Sequence, residues 1–533
     1  MRRRRYVAKL IYKIGVDVGG TNTDAVVLDH QDQVVAAVKS STTADVQSGI
    51  YTSIEKVLKE SGINVNQIAY VSLGTTHATN AIIRRKGLSK VAVVRICLPA
   101  GKGVLPLAGW DESLIAAMDA TSFLIHGGHE YDGRALAGEG LDHDEVFRVL
   151  DTIKEKGYES IAVSCIFSPA KDQHEKEFAK LAAERLGEDF PVTLSSEIGS
   201  LGLLERENSA ILNASVVGVA KKAAYGLIEA LKDLGISSKV FFAQNDGTLM
   251  SLERAIMYPV LTIGSGPTNS TRGAAYLSNL ENCIVADIGG TSTDVGILVN
   301  GFPRQSALAV EVGGVLTNFR MPDLISIGLG GGSIVQYDGK EVAIGPDSVG
   351  YEIKEKAIAF GGDILTATDI ALAAGVAIID DPACDLSRLS YLDTELVQKG
   401  IAKIQEMVLN ACEKIKTSPE PLPIVLVGGG SVIMPAQQDD SVKLIKPENF
   451  GCANALGAAI AEASGEVDGL WPMEKRTRDE IIELAKEQAI AKAIEMGAVL
   501  SGTSVVDLEA VPLSYLPGNV LRVKAKAAGA LQL

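Results

Sequence analysis

"IGVDVGGTNTDAVVLD", residues 14–29, carries an apolar strand into an aspartate, two glycines and a run of hydroxyl and carboxylate side chains. The same design returns at 284–299 as "IVADIGGTSTDVGILV". Asp17 to Asp24 and Asp287 to Asp294 agree at six of eight positions and stand 270 residues apart, about half the chain. Each copy leads into a second strand (Ala25–Leu28; Val295–Val299), then a turn, then a third strand (Val34–Lys39; Gln305–Glu311). The second turn is Asn300-Gly301, a strong two-residue hairpin signal. Two copies half a chain apart cannot stack as a solenoid. They predict two similar halves that face one another.

Around these units, strand-like runs at Lys13–Val18, Val91–Ile96, Ser160–Phe167 and Val240–Gln244 alternate with helical stretches. The helices are expected at Val46–Glu60, Asp144–Lys156, Gln173–Leu186 and Leu201–Leu231, where apolar residues recur every three to four positions. That alternation argues an α/β fold with largely parallel central sheets.

The repeated motif has a chemistry. A strand buried on both faces ends in Asp at low cost only when the carboxylate is wanted at a cleft. Gly19 and Gly20, like Gly289 and Gly290, let backbone N–H groups approach an anion closely. Thr21, Thr23, Thr291 and Thr293 offer further donors to phosphate oxygens. Asp17 and Asp287 are hard oxygen ligands suited to Mg²⁺ held partly through water. Two such hairpins facing each other would grip a polyphosphate with a metal between them. A P-loop is excluded, because G-x-x-x-x-G-K-[ST] occurs nowhere. "SIGLGGGSI" (326–334) is not a dinucleotide fingerprint either, since a hairpin around Asp338-Gly339 follows it instead of a helix. Its glycines, Gly330 and Gly331 among them, either line the cleft or make a tight strand connection.

The bulk numbers narrow the class. A chain of 533 residues suits two or more domains, and 47% apolar with 22% charged residues is a globular balance. A formal charge of −16 disfavours a nucleic-acid binder. The exception, Arg2 to Arg5, reads as a solvated tail, with no apolar signal-peptide core before Lys13. Six scattered cysteines suggest neither a zinc site nor a disulfide framework, and a reducing cytoplasm is the expected location. The longest uncharged apolar run, Ile370 to Ile379, is half a membrane span, so no membrane is expected.

Paired phosphate hairpins in duplicated halves resemble the actin-like ATPase superfamily. "PIVLVGGGSVIMPA" (423–436) fits its late glycine-rich adenosine loop, with Gly428, Gly429 and Gly430 as the binding glycines. Within that superfamily the chain resembles the hydantoinase A/oxoprolinase family, through "GVDVGGTNTD", "LGTTHATNAIIRRKG" (73–87) and "LERENSAILNAS" (204–215). "QNDGTLMSLERA" (244–255), "IGSGPTNSTRGAA" (263–275), "LTATDIALAAG" (365–375) and "NFGCANALGAAIAE" (449–462) continue the likeness in order. The resemblance implies a two-lobed, duplicated RNase H-like fold with a nucleotide cleft between lobes. It also implies ATP and Mg²⁺ as cofactors, and activation of a cyclic amide such as hydantoin or 5-oxoproline by phosphoryl transfer. Asp17 and Asp287 would be catalytic and metal-binding. Thr75, Thr76, His77, Asn80, Gly330, Gly331 and Asp369 are the candidates for substrate contact. The longer members carry a Pro-Gly-Pro-Ala-Cys-Tyr run where this chain has "IGPDSVGYEIKEKAIAFGG" (344–362), and a long C-terminal domain. The chain therefore resembles a short form, expected to work with a companion catalytic subunit or as a homo-oligomer. Its expected divisions are a basic tail (1–11), an N-terminal lobe (12–200), a second lobe (201–464), and a C-terminal helix over Arg476–Met496 with a short strand tail (465–533). The alternatives are a nucleotide-driven regulatory or reactivating ATPase and a small-molecule kinase.

Histidines add three questions. His77 could touch nucleotide or substrate, or be a solvated loop residue. His126 and His129, in "HGGHEYDGR", have possible metal spacing with no third ligand evident. His143, in "LDHDE", reads as part of a helix start.

Overall fold

The computed structural model describes residues 11–19, 22–41, 46–75, 77–306, 309–435, 443–474, 476–514 and 519–532. Arg2–Arg5, Gly20, Thr21 and Thr76 lie outside the described residues. The chain opens with β1 (Tyr12–Val18), β2 (Asn22–Leu28), β3 (Val34–Ser41), α1 (Val46–Ser61), β4 (Ile68–Thr75) and α2 (His77–Arg84). A separate four-stranded unit follows: β5 (Val91–Leu98), α3 (Glu112–Ala117), β6 (Thr121–His126), α4 (His143–Glu155), β7 (Ser160–Cys165), α5 (Gln173–Leu186) and β8 (Val192–Leu194). α6 (Leu203–Asp233) returns to the first sheet with β9 (Lys239–Ala243), β10 (Leu249–Ser251), α7 (Leu252–Met257) and α8 (Ser265–Ser278).

The second half repeats the plan with β11 (Cys283–Ile288), β12 (Thr293–Val299), β13 (Phe302–Pro303), the hairpin β14 (Val310–Val312) and β15 (Val315–Thr317), and β16 (Leu324–Ile327). Then come β17 (Ser333–Tyr337), β18 (Val342–Ser348), α9 (Ile353–Lys356), α10 (Ala367–Ala373), α11 (Thr394–Ile415), β19 (Ile424–Val427), β20 (Leu444–Ile445) and α12 (Ala453–Ile460). The chain closes with β21 (Ala463–Pro472), α13 (Arg478–Glu495), β22 (Ser504–Leu513) and β23 (Val520–Gly529).

Two sheets share one connectivity. In the first, β3-β2-β1-β4-β9 is antiparallel across β1–β2–β3 and parallel from β1 to β4 to β9. In the second, β13-β12-β11-β19-β20 repeats that order and those directions. This is the duplicated RNase H-like arrangement in two lobes. The order β6-β5-β7-β8 forms a third, all-parallel sheet inserted into the first lobe.

α8 and α12 run between the two main sheets. α12 packs on β1, β2 and β4, whereas α8 packs on β11, β12 and β19, with α8 and α12 in close contact. Their backbones nearly touch: a Cβ on Gly457 would sit 1.8 Å from the Asn269 carbonyl, and one on Gly273 2.0 Å from that of Ala453. Gly15 of β1 meets Ala455 equally closely, at 2.0 Å. Any side chain at these positions would push the lobes apart.

Three expectations need correction. The third strand over Gln305–Glu311 does not form as one element. β13 ends at Pro303 with one further bond from the Arg304 N–H to the Ile297 carbonyl, and β16 takes the remaining place beside β12. The intervening hairpin leaves the sheet because Val312, Val315 and Phe319 are buried against Ile82 and Ile211 of the first lobe. The boundary at 200 does not follow the sheets, since β9 and β10 belong to the first one. Nor is 465–533 a tail. β21, β23 and β22 extend the first sheet to nine strands, β21 pairing parallel to β10. Lys526 of β23 is buried in an ion pair with Asp246, 2.9 Å apart. α6 is long and apolar enough to cross a membrane by length and composition. Here it is a core helix, packed on β7, α1 and α2, with Arg206, Glu207 and Asn213 buried along it.

Candidate functional site

The two hairpins make the same turn. The Gly19 N–H donates to the Asn22 carbonyl and the Gly289 N–H to that of Ser292, both at 2.9 Å. Asp17 sits opposite Asp24 across β1 and β2, as Asp287 sits opposite Asp294 across β11 and β12. Each carboxylate rests on a glycine. A Cβ on Gly74, the register partner of Asp17 on β4, would lie 2.2 Å from Asp17 Oδ1. One on Gly428, which follows β19 with φ +83°, would lie 2.1 Å from Asp287 Oδ1. The duplication therefore extends beneath the motif to the floor that supports it.

The crossing helices join the halves. Asn269 of α8 and Asn454 of α12 donate through Nδ2 to the two oxygens of Asp17, at 3.4 Å each. The Ser270 hydroxyl bonds to Asp287 Oδ2 and lies 2.5 Å from Asn454 Oδ1. Asp17 and Asp287 are thus ends of one polar chain running through Asn454 and Ser270. Burial pushes both carboxyls up to about 6; next, Asp24 adds to the shift at Asp17, while at Asp287 the Ser270 bond opposes it and Asp294 and Asp17 add to it.

A residue the sequence reading missed, Lys39 of β3, pairs with Asp24 at 2.7 Å and is about two fifths exposed, at 41%. Burial pushes the Asp24 carboxyl up and the ammonium opposes that rise, as it does at Asp17 and Asp287. It also reaches the other lobe, 3.8 Å from where a Cβ of Gly429 would stand. Three carboxylates (Asp17, Asp24, Asp287) thus feel this one lysine, with Asp294 beside Asp287, and Asp24 Oδ1, Asn269 Oδ1 and Ser431 Oγ are buried without a hydrogen-bond partner among the described residues. Excess negative charge and orphaned acceptors fit a divalent cation with an attached polyphosphate.

The other candidates divide. Thr291 is exposed at its hairpin tip. Thr293 is instead buried, its hydroxyl donating to the Leu329 carbonyl at 2.6 Å, and Thr23 is buried in the sheet, so strand alternation turns both away from a phosphate. The glycines at 330–332 make a tight connection packed directly on the second hairpin. The Gly331 and Gly332 N–H groups donate to the Gly289 and Gly290 carbonyls, and a Cβ on Gly330 would meet Thr291 N at 2.5 Å. Gly430 packs against the same hairpin, its Cβ position 2.1 Å from the Gly289 carbonyl. Asp369 is not available to a substrate: it is fully buried, caps α10 and accepts N–H bonds from Ile358, Ala359 and Thr366. Asn80 is exposed on α2. His77 begins α2, with Nδ1 2.5 Å from the Thr75 hydroxyl, and burial lowers its pKa. A small apolar cavity lies beside Thr75 and His77, lined also by Leu73, Ala78 and Phe242.

His126 and His129 part company. His126 is exposed beside Glu145, 3.1 Å away, and His129 is fully buried against the ring of His174, centroids 4.2 Å apart. His143 follows the N-cap Asp142 and starts α4.

A model of the hydantoinase/oxoprolinase N-terminal region matches residues 13–186, and one described as hydantoinase/oxoprolinase matches residues 206–421. An uncharacterized protein of Methanocaldococcus jannaschii is 25% identical, over 91% of this chain and 77% of that one. The caprolactamase subunit alpha of Pseudomonas jessenii is 23% identical, over 92% and 76%. 5-oxoprolinase 1 of Arabidopsis thaliana is 27% identical over 68% of this chain, which spans only 31% of that protein. Among solved structures, the ATP-dependent caprolactamase of Pseudomonas jessenii superposes with a TM-score of 0.73, covering 98% of this chain and 88% of that one at 17% identity.

Proposed function

The chain belongs to the hydantoinase/oxoprolinase family, and we propose that it is the ATP-using subunit of an enzyme that opens a cyclic amide. The observation that carries this reading is the pair of buried aspartates on duplicated hairpins, linked through Asn454 and Ser270. Mg-ATP, when bound, supplies a γ-phosphoryl group that makes the amide carbonyl open to attack by water. Asp17 and Asp287 would hold the magnesium, partly through its waters. The hairpin tip at Gly290 and Thr291 and the turn at Gly429 and Gly430 would present backbone to the phosphates, held in place by the Gly289 and Gly428 N–H bonds to Ser292 and Phe450, and Lys39 would offset charge between the lobes. Because Asn454 and Ser270 touch both sides, approach of the two hairpins is coupled to the state of both carboxylates.

The described side chains at the hairpins hold and orient phosphate but include no base set for opening the ring, which supports a companion subunit for that step. The relatives named as subunits agree with a shared task. All six cysteines are free thiols, in keeping with a cytoplasmic enzyme. The test assays phosphate and ring-opened acid, with hydantoin, 5-oxoproline and caprolactam, with and without the companion. The expected result is slow phosphate release by the lone chain and coupled formation of both products in the complex. Ring opening by the lone chain would refute the shared task. A phosphorylated product would identify a kinase, and substrate-independent hydrolysis in the complex a regulatory ATPase.

A further inference from the structure

Three groups meet at the carboxyl edge of the inserted sheet, where none of them serves the paired hairpins. His129 lies on the loop after β6, Cys165 is the last residue of β7, and His174 stands in the first turn of α5. All three are buried, and their ligating atoms lie within 4.8 Å of one another. The strand order β6-β5-β7-β8 reverses direction of growth between β5 and β7. In open parallel sheets that switch point, outside the carboxyl ends, is where ligands bind.

The histidines are poorly explained as packing. His129 is 0% exposed and neither ring nitrogen has a hydrogen-bond partner among the described residues. Leaving such a group unpaired costs about 1–3 kcal/mol. The loop is also shaped to approach His174. Gly127 and Gly128 have φ of +134° and +103°, and a Cβ on Gly127 would stand 3.3 Å from His174 Nδ1. His174 is already oriented: the Gly128 N–H donates to Nδ1 at 3.0 Å, and Nε2 lies 3.3 Å from the Glu139 carbonyl. With the proton on Nε2 given to that carbonyl, the backbone support usual for a metal-bound imidazole, the Nδ1 lone pair accepts the Gly128 N–H and becomes available to an ion when that bond is released.

We propose that His129, Cys165 and His174 bind a divalent transition metal of the zinc class. A thiolate with two imidazoles is a borderline-soft set that suits zinc and cobalt and disfavours magnesium and calcium. On binding, the Cys165 thiol releases its proton to solvent, and Nδ1 of His174 exchanges the Gly128 N–H for the metal. The ion would clamp the loop after β6 to the end of β7 and the start of α5.

The test uses the full chain, stripped with chelator and titrated with Co²⁺, then Zn²⁺. Metal content and the thiolate-to-cobalt absorption band are read together. The expected result is about one equivalent bound, with the band present in the wild type and lost in Cys165→Ser. His129→Gln should bind at least about tenfold more weakly. Uptake below about a tenth of an equivalent by the wild type, or an unchanged band in Cys165→Ser, would overturn the proposal. If a variant fails to fold, stoichiometric cobalt with the band in the wild type upholds the site, and its absence rejects it.

Discussion

Asp17→Asn should stabilise the nucleotide-free protein at alkaline pH while abolishing ATP hydrolysis. Burial, and after it Asp24, holds the Asp17 carboxyl up at about 6 against its ordinary 3.8. At 1.36 kcal/mol per unit, ionising it in the folded state costs about 3 kcal/mol relative to the unfolded chain. The replacement amide keeps the shape, and Asn269, whose Oδ1 is buried without a partner, can turn its amide to accept the new N–H. The net gain is therefore about 1–3 kcal/mol, a rise of a few degrees in the melting midpoint. Above about pH 6 both folded and unfolded chains are ionised and the folded one bears the whole cost. Between 6 and 3.8 the folded carboxyl takes up its proton and the cost fades. Below that range neither state is charged and the advantage is gone. Melting curves of both proteins at about pH 8, 7, 6 and 5, beside phosphate-release assays, measure this directly. A variant less stable than wild type at pH about 8, or a difference that ignores pH, would show that this carboxylate is a structural anchor.

Lys39→Met should slow ATP hydrolysis at least about tenfold while changing stability by no more than about 1 kcal/mol, since the lysine is partly solvated; initial rates and melts separate the two. Gly74→Ala places a methyl 2.2 Å from Asp17 Oδ1. Displacing that carboxylate should cost about 100-fold in kcat, with nucleotide affinity from titration less affected. Gly457→Ala meets the Asn269 carbonyl at 1.8 Å and should destabilise the chain by about 3 kcal/mol, read as a lower melting midpoint. Asp369→Ala should do similar damage, about 3 kcal/mol from three unpaired N–H groups, yet leave the rate per folded molecule unchanged. An altered KM with intact stability would return Asp369 to the substrate site.

The duplication was legible because a strand-turn-strand unit is local: Asp17 to Asp24 and Asp287 to Asp294 carry their own geometry in eight residues. What came from packing between distant segments was not legible. Asn269, Ser270 and Asn454 stood in recognised runs, but no local rule says that two helices 184 positions apart deliver them to one carboxylate pair. Lys39 looked like an ordinary strand residue until β3 was placed beside Gly429 of the other lobe. Asp369 misled for the opposite reason, since a capping aspartate and a cleft aspartate are indistinguishable until their N–H partners are known. The third strand of the second unit failed at Pro303, where a more favourable burial for Val312 and Phe319 lay in the other lobe.

The nine-stranded sheet has a bearing on how the chain matures. Its first strands come from residues 12–75 and its last from 463–529, with the whole second lobe made in between. Synthesis runs from the amino end, so β11 to β20 can close their own sheet while the other still has an open edge at β10. Until Lys526 arrives, Asp246 has only the more distant of its two cations, Arg320 at 3.8 Å. A nascent or truncated product lacking β23 would therefore display both an unpaired strand and a carboxylate short of its nearer cation, features by which quality control could tell it from the finished protein.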